Sequence, residues 1–207
     1  MPHVAEPSRL WAGSLKTLGA TAEAYGPIAA VPADRLLAAD DLDDSRIEVI
    51  FTPGHAPHHI SYRVDRLLFA GEAGGVCLAA APGHDFMRPA TPPRFRMDIA
   101  LESLKALIDL PPSKICYSHF GLRENASGQL EQHRQQLLRW RAIVADEVPR
   151  HPAGRAQGPC LQRLLREDPG MHAFQQLSAP ARRREIGFLK NSLQGFIEAF
   201  EEDHPAG

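Results

Sequence analysis

Two periodicities divide this chain. Between Ile47 and Tyr117 short apolar runs alternate with turn residues, and from Ser127 onward the apolar positions recur at helical spacing. Ile47 to Thr52 forms an apolar run that stops at Pro53-Gly54. Ile60, Tyr62 and Val64 then alternate with Ser61 and Arg63, the period-two pattern of a half-buried strand, and Asp65-Arg66 turns the chain back into Leu67 to Ala70. Gly74 to Pro93, rich in Ala, Gly and Pro, reads as a loop at the strand ends. Met97 to Leu110 carries an apolar stripe of Leu101, Leu104, Leu107 and Ile108, with Asp98 at the expected N-cap and Pro111-Pro112 as the stop. Lys114 to Tyr117 predicts a further short strand. Ahead of the first strand, residues 7 to 19 predict a short helix ending at Gly19.

The remainder predicts helices alone. Leu130, Leu137, Trp140 and Val144 mark one apolar face, with His133 on the same stripe as a packed structural histidine. Ile186, Leu189, Leu193, Phe196 and Phe200 mark another, and a shorter helix is expected over about 159 to 167. The fold class expected is therefore α/β over residues 1–122, followed by an all-helical extension over 123–207.

The composition, 43% hydrophobic and 23% charged over 207 residues, is that of a globular protein able to bury a core. A net charge of −2 gives no electrostatic footprint for nucleic acid or an anionic membrane, so neither partner is expected. No apolar run reaches 18 residues and no leader pattern opens the chain, which gives a cytoplasmic expectation. Cys77, Cys116 and Cys160 are odd in number and widely spaced, the pattern of reduced thiols.

Chemistry concentrates where the first strands end. His55, His58 and His59 follow directly on the Pro53-Gly54 turn, Glu72 sits where a strand opens into a glycine-rich loop, and His119 follows the strand at Lys114 to Tyr117. His84 and Asp85 lie in the intervening segment. Imidazole and carboxylate ligands suit zinc, and also iron and other first-row metals.

TPGHAPHHISY resembles the third ligand motif of the metallo-β-lactamase superfamily, LLFAGEA the strand that ends in its bridging carboxylate, and SHFG its last ligand motif. The order is right, with spacings of 17 and 47 residues between His55, Glu72 and His119. The resemblance implies part of an αββα sandwich, its later half, because no His-x-His-x-Asp-His loop precedes His55. It implies His55 as a ligand of a first metal, Glu72 as the bridging carboxylate at the centre of the chemistry, and His119 as a ligand of a second metal. Should all three converge, they make one three-ligand site instead. His59 matches a position behind the metal, and His58 and His84 stand as further candidates. Glu72 replaces the usual Asp and is one methylene longer.

Two functions follow and both stay open on the sequence. One is a metal-dependent hydrolase, abbreviated at its N-terminus, in which metal-activated water attacks an ester, amide, thioester or phosphodiester, with zinc or iron as the metal. The other is a catalytically degenerate relative that serves as an oligomerisation or interaction module. A two-sheet fold lacking much of one sheet exposes apolar strand surface, so a homodimer or larger assembly is expected.

Overall fold

The computed structural model describes residues 2–93, 95–119 and 121–204. The chain divides into two compact units, one up to Ser45 and one from Arg46 onward. The first holds the helices α1 (Pro2–Ala5), α2 (Ser8–Leu18) and α3 (Ala20–Tyr25), followed by two single 3₁₀ turns. The expected helix over 7–19 is α2, with Gly19 as its C-cap.

The second unit is built on a five-stranded sheet. Its strands are β1 (Ile47–Phe51), β2 (Ile60–Val64), β3 (Leu67–Gly71), β6 (Lys114–Tyr117) and β7 (Gly121–Glu124), in the order β1-β2-β3-β6-β7. Neighbours run antiparallel except β3 and β6, which pair in parallel across a long crossover. That crossover contains the strands β4 (Val76–Ala81) and β5 (His84–Arg88) and the helix α4 (Met97–Asp109). The expectation of a loop over Gly74 to Pro93 is corrected here, since most of it is the antiparallel β4–β5 hairpin turned at Pro82-Gly83. Both strands lie largely buried, so alternation is lost and only the turn residues remain to signal it. Asp98 is not the N-cap of α4. Arg96 holds that position without a side-chain hydrogen bond, and Asp98 falls in the first turn, where its charge complements the helix dipole.

The helices α5 (Ala126–Glu147), α6 (Gln157–Glu167) and α7 (Ala179–Asp203) complete this unit and share one continuous core with the sheet and the hairpin. The division therefore falls at Ser45, and the helices past residue 123 lie within the same unit as the strands. One buried carboxylate organises the helical part. Asp168 accepts hydrogen bonds from Trp140 Nε1, Gln136 Nε2 and the backbone N–H of Gly170, so its charge is fully satisfied away from water.

The sheet has two unlike faces. Leu68, Ala70, Ile115 and Tyr117 are buried in the core. On the opposite face, register places Val49, Tyr62, Phe69, Cys116 and Leu122 in one rung across all five strands. Tyr62, Phe69 and Leu122 of that rung are exposed, as is Phe51 beside it. Cys116 is half-buried there, while Cys77 and Cys160 are buried, and all three are free thiols. No helix among the described residues is long and apolar enough to cross a membrane.

Candidate metal centre

Three separate strand ends deliver the candidate residues. β1 leads through Thr52-Pro53-Gly54 to His55, β3 opens into a 3₁₀ turn that begins at Glu72, and β6 runs into His119. These residues meet around the Glu72 carboxylate. Its Oε2 lies 3.8 Å from His55 Nε2 and 3.9 Å from His59 Nε2, and its Oε1 lies 3.5 Å from His119 Nε2. His119 and, to a lesser degree, Glu72 and His55 face solvent, with side chains 49%, 31% and 25% exposed. The neighbouring imidazoles, His119 first, hold the Glu72 carboxyl below the usual carboxylate range despite its partial burial.

The hydrogen bonds of His59 set its role. Its Nε2 is the partner of the Glu72 backbone N–H at 3.0 Å, and its Nδ1 lies 2.8 Å from Thr52 Oγ1. Thr52 Oγ1 in turn meets Ser61 Oγ at 2.9 Å, and Ser61 Oγ donates to the Ala70 carbonyl at 3.0 Å. Both ends of this chain are fixed, because a backbone N–H only donates and a carbonyl only accepts. Ser61 must therefore donate to Ala70, Thr52 to Ser61 and His59 Nδ1 to Thr52, which leaves the His59 Nε2 lone pair for Glu72 N–H. His59 is thus held neutral with both nitrogens occupied. Burial, followed by the nearby His55, lowers its pKa, in keeping with that assignment. Gly71 makes room for the ring, since with φ +58° a Cβ there would lie 2.4 Å from His59 Nε2.

His55 is oriented differently. Its Nδ1 lies 2.7 Å from the Ala90 carbonyl oxygen, which accepts only, so Nδ1 carries the hydrogen and the Nε2 lone pair is directed to the Glu72 side. His58 is exposed on the same turn. His84 stands exposed at the turn end of the β4–β5 hairpin, whereas the chain reaches the site through the opposite end, beyond Arg88. It is not brought to the cluster. Asp85 is taken up by a bidentate pair with Arg123.

The donor set is one of nitrogen and oxygen ligands, as zinc and iron prefer. Two ligands each about 2.1 Å from a tetrahedral ion lie about 3.4 Å apart. The 3.5 and 3.8 Å separations of His119 and His55 from Glu72 are near that edge length. Among the described residues no group of three or more His, Cys, Asp or Glu is arranged so that it could hold a metal ion, so the fit is of ligand pairs, His55 with Glu72 and His119 with Glu72, each on a different carboxylate oxygen. Beside the cluster lies a small pocket with room for about one water, lined by Thr52, His55, Glu72, Phe95, His133 and Leu137 among others. Thr52, Ser61 and Ala90 carry no sequence signal for this role. Hydroxyls and a backbone carbonyl at 35 residues' separation are recognisable only in the fold.

Comparison with known proteins bears on the family and the fold. A metallo-beta-lactamase fold-containing protein, ST1585 of Sulfurisphaera tokodaii, is 37% identical over 98 residues, which span 47% of this chain and 35% of that protein. The crystal structure of ST1585, an archaeal metallo-beta-lactamase superfamily protein, superimposes with a TM-score of 0.55 and 26% identity over 80% of this chain and 63% of its own. TTHA1429 of Thermus thermophilus, a metallo-beta-lactamase family protein, shares the fold with a TM-score of 0.54 at 20% identity, covering 100% of this chain and 64% of that one. The chain thus spans about a third of the curated relative and less than two thirds of each solved structure. The sequence model of the metallo-beta-lactamase superfamily matches residues 4–119, and the chain belongs to that superfamily.

Proposed function

We propose that this protein is a metal-dependent hydrolase in which His55, Glu72 and His119 hold the metal, with zinc or iron as the ion. The observation that carries this reading is the convergence of three strand ends on one carboxylate whose two oxygens face different imidazoles. When bound, such an ion supplies a water acidified to near neutral pH and polarises the oxygen of an ester, amide, thioester or phosphodiester. The chain's own residues prepare the place. Ala90 sets the His55 tautomer, His59 anchors the Glu72 backbone, and the neighbouring histidines keep the Glu72 carboxylate ionised.

Elemental analysis of purified protein tests the assignment. About one tightly held zinc or iron per chain is expected, lost in His55→Ala and His119→Ala. Absence of metal even after reconstitution would overturn it. Hydrolysis of a panel of esters, thioesters and phosphodiesters by the loaded protein then identifies the reaction.

The reading includes a homo-oligomer. An apolar rung crossing five strands is unfavourable in water, and identical faces on two copies can cover each other as two packed sheets.

A further inference from the structure

His55 owes its orientation to the carbonyl of Ala90, and Ala90 is the middle residue of a segment held on both sides by a helix about a hundred residues further along. Arg88 donates from Nε to Glu185 Oε2 at 2.6 Å, and its guanidinium lies 4.8 Å from the Phe188 ring centre. Ser192 contacts the segment twice. Its Oγ donates to the Pro89 carbonyl at 3.1 Å, and its own carbonyl accepts from Thr91 Oγ1 at 3.1 Å. Gly195 then lets Thr91 and Pro92 lie directly on the helix backbone, because a Cβ at that position would come within 2.4 Å of the Thr91 carbonyl oxygen and 2.6 Å of that of Pro92.

The α7 contacts therefore bracket Ala90. Pro89 is fixed before it and Thr91 and Pro92 after it, while the Ala90 carbonyl is left for His55 Nδ1 at 2.7 Å. We propose that Ser192 and Gly195 of α7 are positioning residues for His55, acting through the Ala90 carbonyl to hold the imidazole as the Nδ1–H tautomer with Nε2 available to a metal. This rests on the reading of His55 as a ligand, and it gives the C-terminal helix a task at the site. A free imidazole in water samples both tautomers and rotates. Partners behind a ligating histidine fix both, and their loss typically costs about 10- to 100-fold in metal affinity.

Nitrogen-15 NMR of the histidine rings in metal-free protein reads the tautomer directly. Wild type is expected to show His55 as Nδ1–H alone. Gly195→Ala, which forces the segment off the helix, is expected to give a mixture of tautomers and a zinc affinity about 10- to 100-fold weaker by competition with a chromophoric chelator. Gly187→Ala makes the same change on the same helix where a Cβ meets open space, and should leave both readouts unchanged. Ser192→Ala, a smaller perturbation, gives the same readout if Gly195→Ala does not fold. An Nε2–H tautomer in wild type overturns the proposal. So does an unchanged His55 spectrum in folded Gly195→Ala, or in Ser192→Ala where Gly195→Ala does not fold. A shifted tautomer in protein that binds no zinc in any form leaves the positioning intact and removes the ligand reading instead.

Discussion

His59 Nε2 accepts the backbone N–H of Glu72 at 3.0 Å, so this histidine holds the Glu72 backbone and has no lone pair left for a metal. The consequence is a division of labour among adjacent histidines on one turn. His55 keeps a ring nitrogen for the site, while both nitrogens of His59 are spent on a hydrogen-bond chain that ends at Ala70.

Replacing His59 by Ala should therefore destabilise even the metal-free protein. The change leaves the Glu72 N–H without its acceptor and takes from the buried Thr52 oxygen its donor, although Thr52 still donates to Ser61, at a cost of about 1–3 kcal/mol. His55→Ala removes a more exposed ring and should cost less without metal but abolish metal retention. Urea unfolding of both variants with and without zinc checks the contrast, and equal losses in the metal-free state would contradict it.

Stability should fall between pH 7.5 and pH 5 because of His133. This ring is 3% exposed with Nδ1 lacking a hydrogen-bond partner, and burial lowers its pKa to about 4 from an ordinary 6.5. Between those values the unfolded chain binds the proton and the folded one does not, so acid favours unfolding. The contribution is complete above 6.5 and decreases toward 4, with about 2 kcal/mol lost by pH 5. His59, also lowered, acts in the same direction, whereas Glu72 is depressed from 4.5 and matters only at lower pH. Urea midpoints at the two pH values test this, and His133→Phe should remove most of the difference.

The strands β1, β2, β3 and β6 were legible because each carries alternation or an apolar run bounded by Pro, Gly or Asp, and the histidine and glutamate motifs mark their ends. β4 and β5 were not. With Val76, Cys77, Leu78 and Phe86 to Arg88 all buried, no polar face remains to give a period, and Ala79 to Ala81 has little strand propensity. β7, Gly-Leu-Arg-Glu, has one apolar residue and is a strand only because β6 pairs with it. The site was half legible. Side chains that bear the chemistry stand out by type, but Ala90 and Ser192 act through a backbone carbonyl and a contact 103 residues long, which no local pattern records.

The apolar rung predicts association that charge can disrupt. Phe69 sits at its centre, paired with Tyr62 on one side and Cys116 on the other. Phe69→Lys places a charge where two sheets would meet but leaves the buried face of β3 untouched. Sedimentation velocity at micromolar concentration should show wild type as a dimer or larger and Phe69→Lys shifted to monomer. A monodisperse wild-type monomer would remove the oligomer from the proposed function without affecting the metal centre.

Arg88 and Glu185 offer a test that separates the strength of an ion pair from its necessity. Glu185 is 0% exposed and also meets Arg184 Nε at 3.0 Å, and Arg88 is 7% exposed. Burial pulls the Arg88 pKa down while Glu185 pushes it back up, so desolvation and pairing oppose each other at this site. Removing only Glu185, as in Glu185→Ala, strands a buried guanidinium and should cost about 3–5 kcal/mol, because the desolvation persists without the attraction. Replacing both, as Arg88→Met with Glu185→Leu, removes the desolvation as well and should restore most of that loss. A double variant as unstable as the single one would mean that the pair holds α7 against the Arg88–Thr91 segment by geometry that apolar side chains cannot reproduce.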